Sequence, residues 1–566
     1  MSTLALHSSA DRPGNPAASH LRSARASLTR AWKRLDQSLS YQLKGWLGPL
    51  LMAVFAGILR FIRLGSPRAI IFDETYYVKD AWTMLMTGEA RDWPEKVGAA
   101  STPIDQLFAQ GQTHLWLPSA EYVVHPPIGK WCIALGLKLF GGAGNPFAWR
   151  AATAFVGTLA VLLLCRVALR LFHNLPIALM AGFLLSIDGL GITMSRTGLL
   201  DNFIMIFALA AFACLLAHRD WAARRLSEAY QRDVHSRSSN FALITYRFGR
   251  RRGRSRLVLD SSGPCIAWSY WRLAAAVLLG LTTGVKWSGA YFFAVFALIS
   301  VLWDAYQRQE AGYRSWLTAG ICKDGLLAAA YMLPAWALTY LASWTGWFLH
   351  PDAYMHDWAA QHPGEGVTWL PETWRSFVQY HQEMWHFHNG LDTPHPYMAN
   401  PLTWPLQVRP TSFYWEKLPD RPGLCRLAPG STCVSAVTSL GNPLLWWLAS
   451  LCLILGLLIS IGFLRGDWRF LAVFSGLLAG WLPWAQYLHR TTFTFYSIAI
   501  LPWMILAICY VTNWLRQALT RRSYHRLCTG TLVVLGLVSL FFYPIWTAIP
   551  VPYEFWEIHM WLPSWI

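Results

Sequence analysis

Long apolar runs dominate the chain. Stretches of about 18–24 apolar residues are long enough to cross a bilayer. Eleven such stretches lie near 46–63, 148–171, 175–193, 201–217, 268–284, 289–306, 324–345, 443–463, 470–488, 495–514 and 528–548. A shorter apolar segment at 127–141 carries Lys130 and Lys138. Lys and Arg gather in cytoplasmic loops, and their positions settle how that segment is read. Arg12, Arg22, Arg25, Arg30, Lys33, Arg34 and Lys44 precede the first span, and Arg219, Arg224, Arg225, Arg232, Arg237 and the basic run 247–256 follow the fourth. Both groups belong inside, so an even number of crossings separates them, and 127–141 is expected to lie along the membrane surface. The N-terminus is then cytoplasmic and the C-terminus extracytoplasmic. The fold class read from this pattern is an all-α polytopic membrane protein with about eleven transmembrane helices and two long outer loops.

The expected organisation is a disordered cytoplasmic tail at 1–45, a membrane module at 46–345 with a first outer loop at 64–147, an extracytoplasmic loop at 346–442, and a C-terminal membrane module at 443–566. The tail has no apolar core of the kind a signal peptide carries. Composition agrees with a chain that stays in the bilayer: of 566 residues 54% are hydrophobic and only 14% charged. The 33 Trp, 22 Tyr and 29 Phe suit aromatic belts at both interfaces. A net charge of +17 would suit nucleic acid, but its placement is that of a topology signal and no nucleic-acid motif accompanies it. The run 247–256 could also hold anionic membrane lipids. Of ten cysteines, only Cys425 and Cys433 fall in an outer loop and clear of any apolar segment. Their short spacing suits a small disulfide, with two free thiols as the alternative.

The chain has no phosphate-binding GxxxxGK[ST], no GxGxxG after a strand and no HExxH. His381, His386 and His388 cluster, but read better as part of a His-rich interfacial loop than as a metal site. The sharpest local feature is Asp73-Glu74, where the chain leaves the first span. Desolvation raises a carboxylate's proton affinity and a nearby cation lowers it, so such a group can be tuned as a general base. The alternative is an acidic cap on a helix at 75–88. Arg150, Arg196, Lys286 and Arg490 sit at outer ends of spans, against the positive-inside trend, with Asp201 near Arg196. Several cations facing several carboxylates suit a lipid-linked phosphate donor and a deprotonating base. Structural ion pairs are the alternative.

Asp73-Glu74, His125-Pro126-Pro127-Ile128-Gly129-Lys130, Arg150, Leu199-Leu200-Asp201-Asn202 and Lys286-Trp287-Ser288-Gly289 occur in that order. Together they resemble the protein O-mannosyltransferases. Further on, His395-Pro396-Tyr397 with Trp404-Pro405, and Gly441-Asn442-Pro443 with Trp446-Trp447, resemble the bacterial branch. The resemblance implies the GT-C membrane glycosyltransferase fold, in the cell membrane, with 46–345 as the catalytic module. It implies inverting transfer of mannose from polyprenyl-phosphate mannose to Ser or Thr of exported polypeptides, in contact with membrane lipids and the secretion translocon, without nucleic acid, metal or other cofactor. On this reading Asp73 is the base and Glu74 orients it or the acceptor. Arg150, with Lys286, Arg196 and Arg490, holds the donor phosphate, and His125, Lys130 and Asp201 support the acceptor side. Eukaryotic relatives carry a β-trefoil in the second long loop, for which 346–442 has no counterpart. Two other readings remain open: a GT-C transferase acting on a lipid or polysaccharide, and a secondary transporter. A transporter would carry inverted repeats with broken helices, which the sequence lacks.

Overall fold

The computed structural model describes residues 43–99, 101–236, 242–244, 256–259, 261–420, 422–428, 430–463 and 467–566. Most of the expected tail, and the basic run 247–256 apart from its last residue, lie outside them. Among the described residues eight helices are long and apolar enough to cross a membrane: Leu43–Phe61, Pro146–Phe172, Asp201–Asp233, Gly289–Ala311, Trp316–Ser343, Pro443–Gly462, Thr494–Ala518 and Arg521–Trp546. A pair of helices, Leu175–Ile187 and Gly189–Ser195, is bent by 60° and supplies a ninth if counted as one span. The two remaining expected spans are met by the shorter helices Tyr270–Val285 and Trp468–Gly480. Each falls short of a bilayer at 1.5 Å per residue, reaching about 24 Å and about 20 Å. The segment at 127–141 is a helix at Ile128–Leu139, only about 18 Å long.

Helix starts are written locally. Asn145, Asn174 and Asn442 each stand before a helix with proline in its first two positions, and each side chain accepts a hydrogen bond from the first turn at 3.1 Å. Asparagine as the cap and proline at the start satisfy or remove orphan backbone donors. The bend belongs to Asp188. Its carboxylate caps the second half-helix through Gly191 N and also accepts from Asn442 N and the Trp446 indole, each at 3.0 Å. A Cβ at Gly189 would lie 2.1 Å from the Trp546 ring, so only glycine admits that packing. The same contacts give the Gly441-Asn442-Pro443 and Trp446 motif a structural meaning: it clamps the broken span.

Burial orders the bundle. The Thr494–Ala518 helix is 94% buried over its apolar window and Leu43–Phe61 only 28%. The former therefore runs through the middle and the latter along the rim.

The outer segments fold on top. From the first come the helix Glu74–Thr87 and the Ile128–Leu139 helix. From the second comes the helix Glu372–Gly390, whose Phe377, Tyr380 and Met384 pack with Trp344 and Trp347. An antiparallel three-stranded sheet adds Thr411–Leu418, Cys433–Ser439 and Val551–Pro552, the last from beyond the final span. Register runs from Thr411 opposite Ser439 to Leu418 opposite Cys433. This sheet, with two small hairpins elsewhere, qualifies the all-helical expectation. Cys425 and Cys433 are bonded at 2.05 Å, so the expected disulfide closes the turn entering the middle strand.

Candidate active site

The loop that leaves the first span is fixed from below and from the side. Phe72 has a left-handed backbone, φ 49°, a conformation unfavourable for a bulky residue and held only when its surroundings over-determine it. Its ring stacks on Phe413 at 4.7 Å and meets Phe493 and Phe495 edge-on at 5.9 and 5.4 Å. Next to it, Glu74 and Arg150 are fully buried. The Arg150 guanidinium grips Glu74 with two bonds of 2.8 Å. Its other N–H groups go to the carbonyls of Leu64, Pro67 and Ala69. All five donors of the fork are used. Glu74 also accepts from the backbone of Ile71 at 3.1 Å and Gly198 at 2.8 Å.

Asp73, between Phe72 and Glu74, precedes the helix Glu74–Thr87 but makes no capping bond with its side chain. It is half-buried. Burial pushes its carboxyl up to about 6, opposed by the Lys286 ammonium and reinforced by the Asp201 carboxylate. Asp73 thus stands at the helix N-terminus without capping it through a hydrogen bond, and a carboxyl pushed up to about 6 can take a proton at working pH.

Lys286 and Asp201 lie 2.8 Å apart at the wall of a cavity of about 360 Å³. That cavity is also lined by His125, Trp385, His388, Trp484, Tyr487, Arg490 and Tyr496. Lys286 ends the helix Tyr270–Val285 and hangs over the rings of Tyr77 and Tyr496. Arg490 differs from the other outer cations. It is 9% exposed and, like Arg196, forms no ion pair with a carboxylate among the described residues, but it also leaves its buried Nε without a hydrogen-bond partner there. Its neighbours are the Trp484 ring at 5.6 Å and His388 Nδ1 at 3.4 Å. His125 stacks on His388 at 5.1 Å. Burial, then Lys286, holds its imidazole well below the usual range.

Two family models match the chain: the C-terminal four TMM region of protein-O-mannosyltransferase over residues 373–565, and dolichyl-phosphate-mannose-protein mannosyltransferase over 124–230. The polyprenol-phosphate-mannose–protein mannosyltransferase of Mycolicibacterium smegmatis is 31% identical over 92% of this chain and 93% of its own. That of Mycobacterium tuberculosis is 32% identical over 93% and 92%. The chain belongs to the protein O-mannosyltransferase family. The Saccharomyces cerevisiae protein O-mannosyltransferase Pmt1–Pmt2 complex bound to the sugar donor shares the fold, with a TM-score of 0.65 at 15% identity, over 92% of this chain and 93% of that one. The fold is therefore GT-C, in a multi-pass membrane protein, and a transporter is set aside.

Within the O-mannosyltransferase fold the residues singled out from sequence divide in two. Asp73, Asp201, Lys286, His125 and Arg490 converge on one region. Arg150 stands behind it, with no donor left for a phosphate, and this corrects its expected role. Arg196 is also corrected: it donates to the carbonyls of Arg60, Ile62 and Arg63 at 2.6–2.9 Å. A cation there closes the C-terminal end of the first span. Lys130 is 3.0 Å from Asp80, both buried, beside Glu121, whose carboxyl burial and Asp80 push up to about 9. That cluster ties two outer helices together and lies outside the cavity lining. His381 accepts from Tyr340 at 2.7 Å and His386 is exposed. Among the described residues no group of three or more His, Cys, Asp or Glu side chains is placed to hold a metal. Sequence reasoning missed Tyr77, Trp385, Tyr487 and Tyr496, whose only signal was membership of an aromatic-rich chain.

Proposed function

We propose that this enzyme transfers mannose from polyprenyl-phosphate mannose to Ser or Thr hydroxyls of exported polypeptides, at the outer face of the cell membrane and with inversion. The names of its relatives support donor and acceptor, each covering nearly its whole length. One arrangement carries the assignment of roles: a carboxyl that burial pushes up to about 6 lies beside Lys286 and Asp201 of the cavity wall, and the same wall holds a guanidinium with no carboxylate partner among the described residues.

Asp73 takes the proton of the acceptor hydroxyl as its oxygen attacks the anomeric carbon from the face opposite the phosphate. The bond from that carbon to the phosphate oxygen breaks, and polyprenyl phosphate leaves with the electron pair. Arg490 and Lys286 neutralise the leaving phosphate. A guanidinium offers it a planar fork and an ammonium a point charge. Asp201 holds Lys286, and the Glu74–Arg150 pair fixes the loop that presents Asp73. The leaving group is already a phosphate ester, so no nucleotide enters the step. Positive charge in the N-terminal region and in the loop after the fourth span supports a cytoplasmic N-terminus and an outer C-terminus.

The purified enzyme in lipid nanodiscs, given polyprenyl-phosphate mannose and a Ser/Thr peptide, should release polyprenyl phosphate and gain one hexose per modified hydroxyl. Transfer to a lipid or polysaccharide acceptor with none to peptide would overturn the acceptor assignment.

A further inference from the structure

Helix Glu372–Gly390 presents His388 to two unrelated partners. Its Nε2 is 2.7 Å from the Val124 carbonyl oxygen, and its Nδ1 is 3.4 Å from Arg490 NH2. A carbonyl only accepts and a guanidinium only donates, so the ring is fixed as the neutral tautomer with hydrogen on Nε2. Burial, then Arg490, keeps its acidity consistent with that, down to about 4. The Val124 bond ties the ring to the segment leading into His125, and His125 stacks on its face. Arg490 meanwhile has no anion to orient it among the described residues, and a tenth or less of it reaches solvent. Its Nε has no hydrogen-bond partner among them, although His125, His388 and Arg490 all line the cavity.

We propose that His388 is a positioning residue: its Nδ1 lone pair holds one edge of the Arg490 guanidinium, so that the remaining edge, including Nε, faces the donor phosphate. The inference rests on the reading of Arg490 as a phosphate ligand. It makes two substitutions behave oppositely. In His388→Asn the side-chain oxygen falls near the former Nδ1 and keeps the acceptor toward Arg490, while the Val124 bond is lost. In His388→Gln the amide nitrogen falls near the former Nε2 and keeps the Val124 bond, while the acceptor is lost.

Donor KM and kcat are measured for both variants, for Arg490→Ala and for the His388→Gln, Arg490→Ala double variant, in nanodiscs with polyprenyl-phosphate mannose and a Ser/Thr peptide. His388→Gln is expected to raise donor KM about tenfold, part of the value of a charge-assisted bond, with kcat changed less. His388→Asn is expected to stay within about threefold of the parent, and His388→Gln to add nothing once Arg490 is gone. A merely structural histidine gives the reverse order, Gln tolerated and Asn damaging, and that order overturns the proposal. Equal, additive losses overturn it too. An unchanged donor KM in Arg490→Ala removes the phosphate reading itself. A raised KM there with His388→Gln unaffected removes only the role of His388. The double variant is compared with Arg490→Ala on the purified inserted fraction, so reduced yield of a single variant does not obscure the comparison.

Discussion

Replacing Arg150 with alanine separates a structural cation from a phosphate ligand. In the folded protein its five N–H donors are committed to Glu74 and to three carbonyls of the loop 64–69. Removing it strands a fully buried carboxylate, and breaking a buried pair in this way costs about 3–5 kcal/mol. The orphaned carbonyls add to that cost, at about 1–3 kcal/mol for each one that water fails to reach. Glu74 retains its bonds from Ile71 and Gly198, which keeps the loss at the lower end. A loss of about 5 kcal/mol corresponds to a melting temperature lower by roughly 4 °C in a chain of this size. The many buried tryptophans make intrinsic fluorescence a direct reporter. Adding Glu74→Gln to Arg150→Ala should recover part of the loss, because the stranded charge is gone while most of the hydrogen bonding stays. Arg150→Lys should not rescue, since one ammonium cannot replace a fork spread over four acceptors. An Arg150→Ala protein that melts with the parent and loses only donor affinity would refute the reasoning and return Arg150 to the phosphate.

Other outcomes follow from the same geometry. Asp73→Asn should insert normally, bind donor and lose transfer by about 10²–10⁴-fold, as removal of a general base does; near-normal turnover would exclude Asp73 as the base. The parent's kcat/KM should fall on acidification through about pH 6, where Asp73 gains its proton, and a limb at the ordinary carboxylate range would contradict this. The stability effect runs the other way. Because the folded carboxyl titrates above its unfolded value, the stability tied to Asp73 is full below pH 4 and lost as pH rises through about 6. Asp73→Asn should therefore melt above the parent at pH 8 and level with it at pH 4. Phe72→Ala removes the stack on Phe413 and should lower kcat more than it raises donor KM, read from initial rates at saturating peptide. Arg196→Ala should lower the melting temperature and leave donor KM alone, in contrast to Arg490→Ala.

The spans were legible because a bilayer demands long apolar runs. The two helices too short to cross alone were hidden by the same rule: apolar flanks extend the run without extending the helix. The outer sheet was not legible, since one strand is two residues long and comes from the far end of the chain. The pairing creates that strand, not the local pattern. The disulfide was legible as a spacing. At the site, residue types were legible and partners were not. Arg150, Arg196 and Arg490 look alike in sequence, each a cation at an outer span end. What separates them is which acceptors the fold brings near: a carboxylate and three carbonyls, a helix terminus, or one imidazole nitrogen.

That difference gives a way of reading charge in this membrane surface. Buried ion pairs such as Glu74–Arg150 and Asp80–Lys130 cancel within themselves. Their desolvation cost is met by close geometry and extra hydrogen bonds, and they contribute little field a few ångströms away. Lys286 is intermediate, held by Asp201 yet facing the cavity. Among the described site residues two charges of opposite sign have no such partner: Asp73 and Arg490. An unpaired buried charge is costly, and it persists where a substrate supplies what is missing. On the proposed mechanism a phosphate supplies the anion for Arg490, and an acceptor hydroxyl supplies the proton for Asp73. The charges that build the scaffold are those already matched. The two left unmatched are those that the proposed mechanism assigns to the reactants, an anionic leaving group on one side and a protic nucleophile on the other.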